Sequence, residues 1–254
     1  MTGRQSWLLS TDRGTSLPLP WSADEEFEVC LMDTVLAALT NRAFLYRYLW
    51  RWFAGAPDDA LVAIAVDGKT VDECKLLAGE NSVAVQSQIE ISSRLSGGTY
   101  PQAELNQLYT KHFEGPGRVP APPWESVYLN GEDLLFQEST LDVRSDYRAA
   151  GYEAKGYPKE ADDHIAIELG FMAALSQDAV AAYESGDTEQ AKALLSRQLM
   201  FLGKHLNIWL PKYIGRMEES EKPKADGLYL AIGRLAEDVC HYDSQAVEEL
   251  VLAL

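Results

Sequence analysis

Five apolar residues, Leu228, Ile232, Leu235, Val239 and Tyr242, follow one another at spacings of four, three, four and three. That rhythm fits a helix of about 3.6 residues per turn and no strand, so the segment is expected to be an amphipathic helix with one face in a core. The same period runs through Phe27, Leu31, Val35, Ala38, Leu45, Leu49 and Trp52, after a Ser22-Ala-Asp-Glu25 run with the form of a capping box. It returns in Leu195, Leu199, Leu202, Leu206 and Trp209, where Leu194, Phe201, His205 and Ile208 widen the apolar face as in a central, buried helix. No period of about 20 to 50 residues repeats, which speaks against a solenoid.

Turn residues divide these helices. Gly55-Ala-Pro57 stops the first, and Asp58 and Asp59 open a short helix over 61–66, since no second strand follows at hairpin distance. Further pieces are predicted over 71–77 and 83–95, then over 102–113 beyond Gly97-Gly98 and Pro101. Gly115-Pro-Gly117 and Pro120-Ala-Pro-Pro123 lead to Trp124. Helices from Ser139 through Tyr147 and from Asp163 through Tyr183 follow, the latter closed by a turn at Gly186-Asp187. Pro211 and a charged linker precede the last helix, and residues 1–21 lack periodicity and read as a flexible tail. The expected architecture is all-α: a single-domain helical bundle over 22–254, with a Pro/Gly-rich hinge at about 114–162.

In 254 residues, 46% hydrophobic, there is enough apolar material for a sizeable core. No apolar run approaches the roughly 20 residues needed to cross a bilayer, and the N-terminus has no secretory signal, so no stable membrane insertion is expected. Cys30, Cys74 and Cys240 are odd in number and far apart, which fits a reducing cytoplasm better than a disulfide framework. A net charge of −17 repels nucleic-acid backbones and anionic lipid and attracts basic peptides.

Catalytic hardware is missing from the sequence: no nucleophile elbow, phosphate-cradling loop, zinc-protease motif or glycine fingerprint. Asp238-Val-Cys-His241 is one imperfect copy of a motif that a di-iron bundle needs twice, so neither a metal nor a cofactor is expected. His205 reads as a hydrogen-bonded core or interface histidine, and Trp50, Trp52 and Trp209 as core. The stretch 156–172 is the exception: Glu160, Asp162, Asp163 and His164 crowd the start of an apolar helix. Asp162 or Asp163 can cap that helix, which leaves the others either as a solvated helix start or as a polar recognition site that includes Glu168 one turn on. An enzyme with His164 as base oriented by Asp163 is geometrically poor, because adjacent residues opening a helix point in different directions.

Two segments together resemble the TorD/DmsD family of cytoplasmic redox-enzyme maturation chaperones. One is the loop from Phe113 through Gly115-Pro, Pro122-Pro123-Trp124 and Ser126-Val-Tyr128; the other is Glu160-Ala-Asp-Asp-His164, similar to that family's acidic hinge. Ala161 stands where the hinge usually has proline, and Glu125 where a small residue usually follows the tryptophan. The resemblance implies a chaperone, not an enzyme, that holds the precursor of a molybdopterin oxidoreductase by its twin-arginine signal peptide until its cofactor is inserted. It implies that Glu160, Asp162 and Asp163, with His164, meet the arginines, and that Tyr109, Phe113, Pro123, Trp124, Ser126 and Tyr128 form an aromatic groove. The alternative is a chaperone of the same fold that serves a mature subunit without reading such a signal. Either would act as a monomer or homodimer.

Overall fold

The computed structural model describes residues 9–11, 34–97, 100–115, 119, 121–129, 138–155, 161–220 and 227–254. In chain order these form β1 (Leu9–Thr11), α1 (Thr34–Ala54), α2 (Asp59–Val66), α3 (Gly68–Ala78), α4 (Val83–Ser96) and α5 (Gln102–Tyr109), which runs into a π turn at Thr110–Glu114. Then come α6 (Glu125–Leu129), α7 (Glu138–Ala149), β2 (Tyr152–Ala154), α8 (Ile165–Glu184) and α9 (Thr188–Phe201). A second π turn, Leu202–Leu206, joins α9 to α10 (Asn207–Ser220), and α11 (Leu228–Ala253) follows. The architecture is all-α, as the periodicities predict. Among the described residues the only sheet is the antiparallel pair β1 and β2, with Leu9 opposite Ala154 and Thr11 opposite Tyr152. Of the expected tail only these three residues are described; the capping-box run, Phe27 and Leu31 lie outside the described residues.

Short polar side chains start several helices. Asp58 accepts from the Leu61 amide at 2.8 Å, Asp67 from Lys69 at 2.9 Å and Asp187 from Gln190 at 3.0 Å, each satisfying an amide with no partner inside its helix. α1 packs along α8, α8 against α9, and α11 against α4, α9 and α10. Gly233 lets α10 approach α11, because a Cβ there would lie 2.5 Å from the Ile214 methyl. By length and composition α8 could cross a membrane, but 72% of its most apolar stretch is buried inside the fold.

Two sequence expectations need correction. Pro211 does not end the Leu195–Trp209 stripe; it lies inside α10, which continues to Ser220. The ring removes an amide and crowds the carbonyl four residues back, yet it stands in the first turns of α10, one turn beyond the π turn, and the helix runs on past it. α8 begins at Ile165, not Asp163, for a reason given with the site.

A buried polar network crosses the core. Arg42 of α1 donates to Asp243 of α11 through Nε at 2.5 Å and Nη2 at 3.0 Å, and to Gln198 of α9 at 2.5 Å. Tyr46 donates to the same aspartate at 2.6 Å, and Gln198 passes the chain on to Ser176 of α8 at 3.0 Å. Around it, Leu235, Leu202, Trp52 and Trp209 are wholly buried, as their spacing predicts. Leu235→Ala is expected to cost about 2 to 5 kcal/mol, because it leaves a cavity in a packed core. A denaturation midpoint equal to the parent's would show that α11 does not carry the core.

Candidate functional site

The loop and the hinge singled out by the sequence meet in space. The Glu125 amide donates to the Asp163 carbonyl at 3.0 Å, and the Ile165 amide to the Pro123 carbonyl at 3.0 Å, so Trp124 and His164 pair as an isolated antiparallel bridge. The Trp124 indole stands edge-on to the His164 ring, 5.2 Å between centroids, and remains partly exposed.

Three consecutive side chains divide the work at the junction. His164, not Asp162 or Asp163, caps α8: its Nδ1 accepts from the Ala166 amide at 3.1 Å. Burial holds its pKa down at about 3, so the ring stays neutral and able to accept. Asp163 turns away and caps α6 instead, taking the Ser126 amide at 2.8 Å and the Thr140 hydroxyl at 3.0 Å. That is the physical reason for the correction: tertiary donors on α6 and α7 claim the aspartate, and the histidine inherits the local amide. Asp162 takes Arg144 Nε on Oδ2 at 2.5 Å, while its Oδ1 is buried with no hydrogen-bond partner among the described residues. Burial pushes the Asp162 carboxyl up, and Arg144 pulls against that.

None of the three is a solvated helix start; Asp162, Asp163 and His164 are all buried. Asp163 and His164 serve different amides, so they form no catalytic dyad, and no group of acids, cysteines and histidines suited to a metal occurs among the described residues.

Glu125, which departs from the resemblance, proves to be an internal anchor. It is 1% exposed, and both its oxygens reach His205 Nδ1, at 3.0 and 3.1 Å. The other ring nitrogen faces Asp146 of α7 at 2.9 Å, which confirms the hydrogen-bonded core histidine. Beside this chain, Glu168 accepts the Trp209 indole N–H at 3.0 Å. Burial, then the charge of Glu125, pushes the Glu168 carboxyl well above the ordinary range. Sequence reasoning missed Glu125, Asp146, Arg144 and Thr140 as parts of this knot. Glu125 carried a signal as a departure from the resemblance, and Arg144 and Asp146 lie in the run 141–147, which also resembles the family pattern.

The aromatic residues separate into two groups. Tyr109 and Phe113 are 2% and 6% exposed and pack with Phe53 and Tyr229, so they belong to the core and line no open groove. Pro123 and Ser126 are buried under the loop, whereas Trp124 and Tyr128 keep partly exposed faces. Tyr128 stacks on Trp209 at 5.7 Å, with the Arg216 guanidinium 5.9 Å above its ring. Glu160 lies outside the described residues.

The family model described as nitrate reductase delta subunit matches residues 83–214, which include both segments of the site. The chaperone protein TorD of Vibrio cholerae serotype O1 is 31% identical over 177 residues, covering 69% of this chain and 77% of its own length. The chain belongs to the TorD/DmsD family. It is a redox-enzyme maturation chaperone. The Tat proofreading chaperone DmsD of Salmonella typhi is 30% identical over 139 residues, covering 54% of this chain and 59% of its own. A further TorD, from Aliivibrio fischeri, is 29% identical over 153 residues, 60% of this chain and 68% of that protein.

Two outcomes follow for this member of the family. Asp163→Ala leaves the buried Ser126 amide and Thr140 hydroxyl without their acceptor, at a cost of about 1 to 3 kcal/mol for each group stranded. Limited proteolysis should then cut first near 124–140; a parent-like stability would show that the aspartate holds nothing there. Glu168 supplies a pH test. Its folded pKa is raised, so the stability it contributes is present below its unfolded value of about 4.3 and is lost as pH rises toward the folded value. Glu168→Gln should therefore flatten the fall of Tm with rising pH above about 4.3, and parallel Tm profiles would refute the raised carboxyl.

Proposed function

We propose that the chain binds the twin-arginine signal peptide of a molybdopterin oxidoreductase precursor in the cytoplasm and holds that precursor for cofactor insertion before export. The observation that carries this reading is Asp162. Its carboxylate already holds one guanidinium, that of Arg144, and keeps a second, buried oxygen without a partner among the described residues, close to the partly exposed Trp124 and the buried His164 it stands against. When the loop shifts to admit it, a peptide arginine finds there a charge-assisted acceptor, and the apolar residues that follow find an aromatic face. Glu160 and the acidic surface would add attraction at longer range, since the net charge is −17. Tyr109 and Phe113 act from behind, by packing the base of the π turn.

One observation favours the second reading, a chaperone for the mature subunit. Asp163 is fully used by Ser126 and Thr140, so it has no open oxygen for a peptide unless the loop moves.

Fluorescence anisotropy with a labelled twin-arginine signal peptide separates the two. The parent is expected to bind at micromolar concentrations, and Trp124→Ala to weaken binding equally at low and high salt, because aromatic burial is not screened. Asp162→Asn should weaken it as well, and because that carboxyl is buried the loss should persist at high salt, whereas the parent's association should slow as salt screens the surface charge. Indifference of the parent to the peptide, with binding of the signal-free subunit, would replace the first reading by the second.

A further inference from the structure

A concavity lies where α4, α10 and α11 meet, and none of the hinge residues lines it. It is a cleft of about 300 Å³. Leu210 is buried at its base, Pro211 belongs to its wall, and Val83 lines it while staying 47% exposed. From α11 come Arg234, Glu237 and His241, at spacings of three and four and hence on one helix face.

The positive groups of this cleft are already engaged. Arg234 holds Glu218 through Nε at 3.1 Å and Nη2 at 2.7 Å. The first-turn amide of Ala84, which would otherwise draw an anion to the start of α4, donates to Asp238 at 2.6 Å. Glu237 is the reverse case: half-buried, its side chain makes no hydrogen bond or ion pair among the described residues. Burial first, then Asp238 and Glu218, push its carboxyl above the ordinary range, and His241 and Arg234 offset this only in part. A cation in the cleft would relieve both the burial cost and the repulsion. The volume is at the low end for ligand sites and admits a single long side chain.

We propose that this cleft receives a basic side chain of the bound polypeptide, its guanidinium or ammonium on Glu237 and its aliphatic stem against Val83, Leu210 and Pro211. A long basic side chain has this division, a charged tip and an apolar stem. The occupant rests on the reading of the chain as a binder of basic peptides; the cation site does not, and it can be tested without a peptide.

NMR of the Glu237 side-chain carboxyl in the full chain reads the group directly. Methylguanidinium is expected to shift its resonance saturably and to lower its titration midpoint, and Glu237→Gln to remove that response. Because the Glu237 side chain makes no hydrogen bond among the described residues, the substitution keeps the fold, which an unchanged thermal midpoint verifies. In the second arm, Glu237→Gln should weaken a twin-arginine peptide about tenfold, the scale of one charge-assisted hydrogen bond, and leave its arginine-to-glutamine counterpart unaffected. A Glu237 resonance indifferent to methylguanidinium, with equal peptide affinities for parent and variant, overturns the proposal. A response to methylguanidinium with equal peptide affinities overturns the polypeptide as occupant. A response with no peptide bound by the parent keeps the cation site and removes the signal-peptide reading, so the two failures are told apart.

Discussion

Arg42 cannot be buried alone. A guanidinium removed from water costs several kcal/mol unless its charge and donors are met, and here Asp243, 201 residues away, meets the charge. Gln198 meets a further donor, Tyr46 shares the aspartate, and Ser176 takes what Gln198 has left to give. α1, α8, α9 and α11 are therefore held to one mutual arrangement by chemistry that an apolar core alone would not specify. Hydrophobic burial supplies most of the stabilisation, whereas this network fixes the register in which the helices achieve it.

The site is built on the same plan. Asp163 joins α6 to α7, Glu125 joins α6 to the π turn after α9 through His205, and Asp146 closes the ring from α7. A five-residue helix such as α6 has little stability of its own, so these tertiary bonds determine where Trp124 and Tyr128 point. Acids that composition alone would assign to the surface instead hold the loop in place. The surface acidity and the internal acidity do separate work: one sets the long-range field, the other the shape.

Helix positions were legible because they are local. The spacing through Leu228 and Tyr242, the stop at Pro57 and the cap at Asp58 all depend on residues within a turn or two of one another. The cap of α8 was not legible. Asp162, Asp163 and His164 each offer an acceptor at the same place, and the choice is made by donors from Thr140, Ser126 and Arg144, distant in sequence. Pro211 misled for a related reason: a proline reads locally as a break, whereas here tertiary packing of Trp209, Leu210, Tyr213 and Ile214 carries the helix past it. The meeting of loop and hinge was implied only by resemblance, because backbone bonds between Pro123 and Ile165 leave no mark on side-chain periodicity.

Two of the chain's six tryptophans belong to this arrangement. Trp209 is wholly buried, with its indole N–H on Glu168, while Trp124 keeps a face toward solvent above His164. Indole emission moves to longer wavelength as its surroundings become wetter, and it responds to charge at the ring nitrogen. Among six tryptophans, these two are isolated optically only in a variant whose other four are phenylalanine. In that variant the indole on the loop emits toward the red and reports what touches the loop, and the indole against the buried carboxyl emits toward the blue and reports the knot beneath it.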